Sequence, residues 1–113
     1  MNRNRYCKHC GSVVEVQYLD EERTIHVCPT CNRNLKHTEV ITGYKRDARI
    51  KQLKAMHELM VQANDEDIYM AWIYTMPDEP SEEDFADIAI NDEMYNKCFD
   101  SFVRLIAKKG NRW

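Results

Sequence analysis

The chain lacks the long apolar run that a membrane-spanning helix or a signal peptide needs. A spanning helix takes about 18 uninterrupted apolar residues, and no segment approaches that length. Glycine and proline are scarce, with three of each, and no stretch is of low complexity. With 43% apolar and 31% charged residues in 113, the composition predicts a folded cytoplasmic protein with one small core or a metal-stapled unit carrying a helical extension.

The sequence also lacks the signatures of common catalytic sites. His57-Glu58 resembles the start of the zinc-protease motif H-E-x-x-H, but position 61 is Val where the motif requires a second His. We find no glycine-rich phosphate loop, no serine nucleophile in a recognisable turn and no pair of carboxylates that the sequence brings together. We therefore expect that the protein is not an enzyme.

Four of the five cysteines form two C-x-x-C turns, Cys7/Cys10 and Cys28/Cys31, which are separated by seventeen residues. This spacing predicts one structural Zn²⁺ held by four thiolates in a zinc ribbon, with no open coordination position for substrate or water. The odd cysteine count argues against a closed disulfide set. A thioredoxin-like redox motif would need a βαβ unit, and the residues between the turns instead favour a β-hairpin.

Other cysteine and histidine residues lie near these turns or on helices. His9, His26 and His37 could each replace a cysteine as a ligand, but four well-spaced cysteines make this unnecessary, and we expect surface histidines. Cys98 lies in the apolar stripe of the last helix, where a free thiol behaves as a small hydrophobic residue. We expect it in the core.

The hydrophobic pattern predicts an α+β fold: a small antiparallel zinc ribbon (residues 1–43) followed by three to four short α-helices in an acidic region (residues 44–113) packed against it. A hairpin should span Val13–Tyr18 and Thr24–Val27, with a third strand at Glu39–Tyr44. Helices should begin at Lys45, after the acidic break at residues 64–67, at the Ser81/Asp84 capping box and after Asn91. Pro77 and Pro80 should end the second helix. The expected apolar stripes are Ile50, Leu53, Met56 or His57 and Met60; Ile68, Tyr69, Met70, Trp72 and Ile73; Phe85, Ile88 and Ala89; and Tyr95, Cys98, Phe99, Phe102, Leu105 and Ile106.

Charge is divided unevenly along the chain. Residues 1–63 carry eleven Lys/Arg and seven Asp/Glu, whereas residues 64–113 carry five Lys/Arg and twelve Asp/Glu. Between Asn64 and Asn96 there are eleven acidic residues and no basic one. Such asymmetry indicates separate binding faces, although acidic residues also cluster at helix starts and on solvated faces.

One interpretation is that the basic half binds nucleic acid, as in an accessory protein or transcriptional regulator. Tyr6 and Tyr44 could stack on bases, although tyrosines near a small ribbon are more often part of its core. The sequence pI of about 5.8 opposes this interpretation. The basic residues concerned are Arg3, Arg5, Lys8, Arg23, Arg33, Lys36, Lys45, Arg46, Arg49, Lys51 and Lys54.

The other interpretation is that the acidic half binds a basic groove on a protein partner. Trp72, Tyr74 or Trp113 could then insert into the partner if they are exposed, although Trp72 fits simple helix packing better. A third possibility is a structural subunit of a larger assembly. The acidic residues that we expect at the partner interface are Asp65, Glu66, Asp67, Glu82, Glu83, Asp84 and Asp87, with Asp78, Glu79, Asp92 and Glu93 nearby in sequence.

An amino-terminal ribbon with Cys7-x-x-Cys10 and Cys28-x-x-Cys31, followed by a short acidic helical tail ending in Phe102-Val-Arg-Leu-Ile-Ala-Lys-Lys109, resembles small accessory proteins of bacteriophages. Among these it is similar to the zinc-containing anti-CRISPR proteins that act on type II systems. The resemblance implies a non-enzymatic inhibitor that works in the host cell cytoplasm. It would bind the RNA-guided effector nuclease and interfere with target DNA binding or cleavage.

Overall fold

The computed structural model describes residues 2–110. These residues group into two compact units, divided between Ala48 and Arg49. Five short antiparallel strands come first and four α-helices follow, which confirms the predicted α+β class. None of the described helices is long and apolar enough to cross a membrane. The proposed boundary after residue 43 and the packing of the helical region against the ribbon stay predictions.

The first unit contains two small antiparallel sheets. The strand bounds are Arg5–Cys7 (β1), Glu15–Tyr18 (β2), Thr24–Cys28 (β3), Arg33–Leu35 (β4) and Val40–Thr42 (β5). Strands β2, β3 and β4 form one sheet in sequence order, and β1 pairs with β5 in the other. The predicted hairpin is β2–β3, with Tyr18 opposite Thr24. Its turn is closed by Asp20, whose Oδ1 accepts hydrogen bonds from the amides of Glu22 (2.9 Å) and Arg23 (2.8 Å).

Two of these strands were not predicted from the sequence. β1 and β4 have three residues each and show no alternation of apolar and polar residues, so only their pairing with β5 and β3 defines them. The expected strand at Glu39–Tyr44 is shortened to β5, because the helix starts at Gly43. A Cβ on Gly43 would lie 2.5 Å from Asn2 Cγ and 2.8 Å from the carbonyl oxygen of Asn4. Glycine therefore allows the close approach between the start of the chain and the start of the helix.

The last three helices begin directly after their predicted caps, and the first begins at Gly43, slightly before the predicted start at Lys45. Asp65 Oδ1 accepts the amide of Ile68 (3.2 Å), and Asn91 Oδ1 accepts the amide of Met94 (3.1 Å). Ser81 and Asp84 form the expected capping box. The helix bounds are Gly43–Gln62 (α1), Glu66–Trp72 (α2), Glu82–Ile90 (α3) and Asp92–Gly110 (α4).

Helix α2 ends well before the prolines that were expected to end it. Its last residue is Trp72, whose carbonyl oxygen accepts hydrogen bonds from Thr75 Oγ1 (3.0 Å) and from the amide of Met76 (3.1 Å). These bonds satisfy a carbonyl that has no partner within the helix. Residues 73–81 therefore form an irregular connection between α2 and α3.

The core of the second unit lies among all four helices. Leu53, Met60, Ile68 and Trp72 are fully buried there, and Cys98 joins them as predicted. The apolar stripe of α4 is wider than the part that is buried. Phe99 and Ile106, which were expected in the core, are 46% and 41% exposed. Cys98, Phe102 and Leu105 take the core-facing positions, and at about 100° per residue Phe99 is turned away from them.

Candidate metal centre and binding surfaces

Two turns of the same backbone geometry present the four cysteines. In the first, the amide of Gly11 donates to the carbonyl of Cys7 (2.8 Å), and in the second, the amide of Asn32 donates to the carbonyl of Cys28 (2.7 Å). Gly11 and Asn32 both have positive φ, 79° and 53°, a conformation that glycine and asparagine tolerate best. The residue after each C-x-x-C motif thus reverses the chain so that both of its cysteines face the same point.

The sulfur atoms of Cys7, Cys10, Cys28 and Cys31 all lie within 4.8 Å of one another. The Cys7–Cys31 separation is 3.9 Å and the Cys10–Cys28 separation is 3.4 Å. Backbone amides point at two of them: His9 donates to Cys7 Sγ (3.4 Å) and Cys31 donates to Cys28 Sγ (3.3 Å). Such amide–sulfur bonds favour the thiolate form, so this cluster can hold a metal ion.

Hydrogen bonding within the cluster separates the pKa values of its thiols. The side chain of Ser12 lowers the pKa of Cys10 to about 6. A hydrogen bond with Cys10 raises the pKa of Cys31 to about 12. Burial raises the pKa of Cys7. The thiols of Cys7, Cys10 and Cys31 therefore differ in how readily they lose a proton, and a bound cation would favour the thiolate form of its ligands.

The three histidines near these turns lie outside the sulfur cluster. His9 Nε2 contacts Glu39 Oε2 at 2.6 Å. His37 is exposed. His26, which was expected on the surface, is half-buried because it lies in the middle strand β3, opposite Leu35 of β4.

The structure places His57, the residue of the incomplete protease motif, in the helical core. Its Nδ1 accepts a hydrogen bond from Trp72 Nε1 (3.1 Å), and its ring lies near those of Tyr69 and Phe85. Burial lowers the pKa of His57, and the Asp78 carboxylate opposes that shift. Because the indole N–H can only donate, this arrangement requires Nδ1 to be unprotonated.

We expect acidification to destabilise the helical unit through His57. Below the unfolded-state pKa of 6.5 the unfolded chain takes up a proton that the folded chain does not, so the free energy of unfolding falls as pH drops from that value through the lower folded pKa. Urea unfolding followed by circular dichroism at several pH values measures this loss. His57→Gln should reduce the pH dependence, and the matched variant His37→Gln at an exposed site should leave it unchanged. Equal pH dependence in all three proteins would contradict the prediction.

Several of the basic residues considered for phosphate contacts have partners within the protein. Arg49 is buried, donates to Ala89 O (2.9 Å) and Asp92 Oδ1 (2.7 Å), and stacks over the ring of Tyr95. It joins α1 to the last turn of α3 and the first residue of α4, so its guanidinium is engaged within the helical unit. Arg46 stacks over half-buried Tyr6, and Lys54 pairs with Glu82. Those that remain exposed are Arg3, Arg5, Arg23, Arg33, Lys36, Lys45 and Lys51, whereas Lys8 is half-buried.

The aromatic residues divide between core and surface. Trp72 has no exposed surface and cannot contact a partner, whereas Tyr74 is 89% exposed. Trp113 lies outside the described residues. Tyr44, expected in the ribbon core, is 63% exposed because it lies on the opposite side of α1 from buried Leu53.

The seven acidic residues expected at a partner interface fall into two groups. Asp65 and Asp84 are half-buried helix caps, and Glu82 pairs with Lys54 at 2.6 Å. The other four are exposed, and none of them has an ion pair or a side-chain hydrogen bond with another described residue. These four are Glu66, Asp67, Glu83 and Asp87.

The structure adds a groove that the sequence analysis did not identify. It lies between the α2–α3 connection and helices α3 and α4, and its lining includes Tyr74, Pro77, Asp84, Asp87 and Met94. No sequence signal marks it, because its walls come from segments whose proximity depends on the packing of the helices. Asp65, Glu66 and Asp67 are not part of its lining.

No protein-family model, curated protein or solved structure matches this chain significantly.

Proposed function

We propose that this protein is a non-enzymatic inhibitor that binds a protein partner through its acidic helices, while one structural Zn²⁺ holds the ribbon. Following the resemblance to phage-encoded anti-CRISPR proteins, the proposed partner is the RNA-guided effector nuclease of a type II system. The protein would act in the host cell cytoplasm and oppose target DNA binding or cleavage.

The donor set supports zinc as the metal. Four thiolates in a closed tetrahedron are typical of structural Zn²⁺ sites, and Zn–S bonds of about 2.3 Å place the sulfurs about 3.8 Å apart. The separations of 3.9 Å and 3.4 Å, in a cluster whose sulfurs all lie within 4.8 Å of one another, are on either side of this value. With all four positions taken by sulfur, the metal would stabilise the fold and take no part in a reaction.

The observation that carries the proposed function is the exposure of unpaired carboxylates on the helices. Glu83 and Asp87 lie one turn apart on α3, both exposed, and Glu66 and Asp67 occupy the exposed first turn of α2. Residues 64–96 contain no Lys or Arg that could neutralise them. A surface with this charge attracts a basic protein groove, such as one that normally holds nucleic acid, and repels DNA itself.

Capture of the nuclease tests this function. Zinc-loaded protein on beads should retain a guide-loaded type II nuclease and should not retain duplex DNA. Glu83→Lys/Asp87→Lys should reduce the captured nuclease at least tenfold, because it reverses two charges that have no structural partner. Glu21→Lys/Glu22→Lys makes the same charge change in the β2–β3 turn and should have little effect.

Two results would contradict the proposal. Retention of DNA with no retention of nuclease would make the basic ribbon residues the functional ones. Equal capture by the wild-type protein and by the α3 variant would exclude α3 from the interface. Zinc content and circular dichroism of each variant establish that it is folded.

A further inference from the structure

The groove between the α2–α3 connection and helices α3 and α4 can accommodate a long side chain. Its volume is about 330 Å³, at the lower end of the range for ligand pockets. Ile73, Pro77 and Met94 supply apolar lining. These side chains can contact the methylene part of a long side chain.

Two carboxylates from one face of α3 line this groove. Asp84 is held in place by the capping box, in which its Oδ2 accepts the amide of Ser81 (2.9 Å), so Oδ1 is left without a partner among the described residues. Asp87 lies one turn further along α3, is exposed and has no side-chain hydrogen bond or ion pair with another described residue. Carboxylates three residues apart on a helix repel each other when no cation lies between them. A cation bound in the groove would remove this repulsion.

An aromatic side chain lies at the same groove. Tyr74 is 89% exposed, and its ring stacks on no other described ring. Tyrosine is enriched at the centres of protein interfaces, and its ring face attracts cations. No Lys or Arg lines the groove. The negative charge of Asp84 and Asp87 is therefore not neutralised by a neighbouring side chain in the lining.

We propose that this groove receives one arginine side chain of the protein partner, an inference that rests on the proposed binding of a protein through the acidic helices. The planar guanidinium donates in a fork to Asp84 and Asp87 while its face contacts Tyr74, and the methylene groups lie against Pro77 and Met94. Lysine presents a compact charge without the fork or the flat face, so arginine fits this combination better.

A titration with short peptides tests the groove directly. The probe is acetyl-Gly-Ser-Arg-Ser-Gly-amide, and its control carries citrulline, which has the shape of arginine without its charge. In ¹H–¹⁵N spectra of the zinc-loaded full chain, the arginine peptide should give saturable shifts at Tyr74, Asp87 and Met94, with a Kd on the order of 1 mM. The citrulline peptide should give none.

Two variants separate a specific site from general charge attraction. Asp87→Asn should weaken binding of the arginine peptide at least fivefold. Glu21→Gln makes the same charge change at an exposed, unpaired carboxylate in the β2–β3 turn, outside the groove and outside the acidic helices, and should leave the affinity within twofold. Equal weakening by both variants, or no saturation at the groove amides up to about ten times the expected Kd, would overturn the proposal.

The peptide titration and the nuclease-capture experiment test the groove and the proposed function separately. Specific peptide binding without nuclease capture would support the groove and reject the nuclease as the partner. Nuclease capture that Asp87→Asn and Tyr74→Ala leave unchanged would support the function and overturn the groove proposal.

Discussion

Replacing Cys28 with serine is expected to release the metal ion and unfold the strands of the first unit. Cys28 is fully buried at the end of β3, and its sulfur lies 3.4 Å from that of Cys10. The free energy of metal binding in small zinc domains is on the order of 10 kcal/mol and is largely folding energy. No other interaction in a ribbon of this size is as large.

The first unit should depend on the metal because the apolar core of the ribbon is small. Its buried cluster consists of Cys7, Val14, Cys28 and Leu35, so half of it belongs to the cysteine cluster that can hold a metal ion. Fully burying one aliphatic side chain contributes about 1.5–3 kcal/mol, which cannot offset the conformational entropy of the ordered strands. We expect the metal to replace the missing apolar contacts.

Metal content and amide hydrogen exchange measure this effect. Wild-type protein should bind one equivalent of metal and protect the amides of β2, β3 and β4, whereas Cys28→Ser should bind none and lose that protection. Cys98→Ser is the matched control, because it removes a buried thiol from the helical core and should keep the metal. Protected strand amides in a metal-free Cys28→Ser protein would show that the ribbon folds without metal.

Replacing Trp72 with alanine is expected to lower the free energy of unfolding by about 3–5 kcal/mol. The side chain has no exposed surface, packs edge-to-face with Phe102 and donates its indole hydrogen to His57. Alanine would leave a cavity among the four helices and an unpaired acceptor on His57. Small domains are stable by only about 5–15 kcal/mol, so the variant should be close to unfolding.

Urea denaturation followed by circular dichroism measures the change. Tyr74→Ala removes a large aromatic side chain two residues away that is 89% exposed, and it should change the free energy of unfolding by at most about 0.5 kcal/mol. Similar losses in the two variants would contradict the burial of Trp72. The same pair separates stability from partner binding, since Tyr74→Ala should affect only binding.

The local signals in the sequence were sufficient to predict most helices and the clustering of four cysteines. Asp65, Ser81 and Asn91 cap the helices that their positions predict, because a cap needs only an amide two or three residues away. The C-x-x-C spacing identified all four cysteines for a similar reason, since each turn brings its own pair together. The hairpin between the turns followed from its alternating residues.

Features that depend on distant residues were wrong or absent in the sequence analysis. The three-residue strands β1 and β4 exist only through pairing with β5 and β3. Arg49 was considered a phosphate contact, but its partners Ala89 and Asp92 lie about forty positions along the chain. The early end of α2 is a local feature that the sequence also did not predict: the helix ends at Trp72, before Pro77, and Thr75 donates to the Trp72 carbonyl oxygen.

The sequence by itself determined the α+β class, the four clustered cysteines and the acidic charge of the helices, because spacing and composition are local properties. Only the tertiary structure decided which acidic residues are available for binding. It engages Asp65, Glu82 and Asp84 in caps or an ion pair and leaves Asp87 exposed. It also formed the groove beside Tyr74, because helix packing sets which side chains are buried and which segments meet, and neither is encoded in any single stretch of residues.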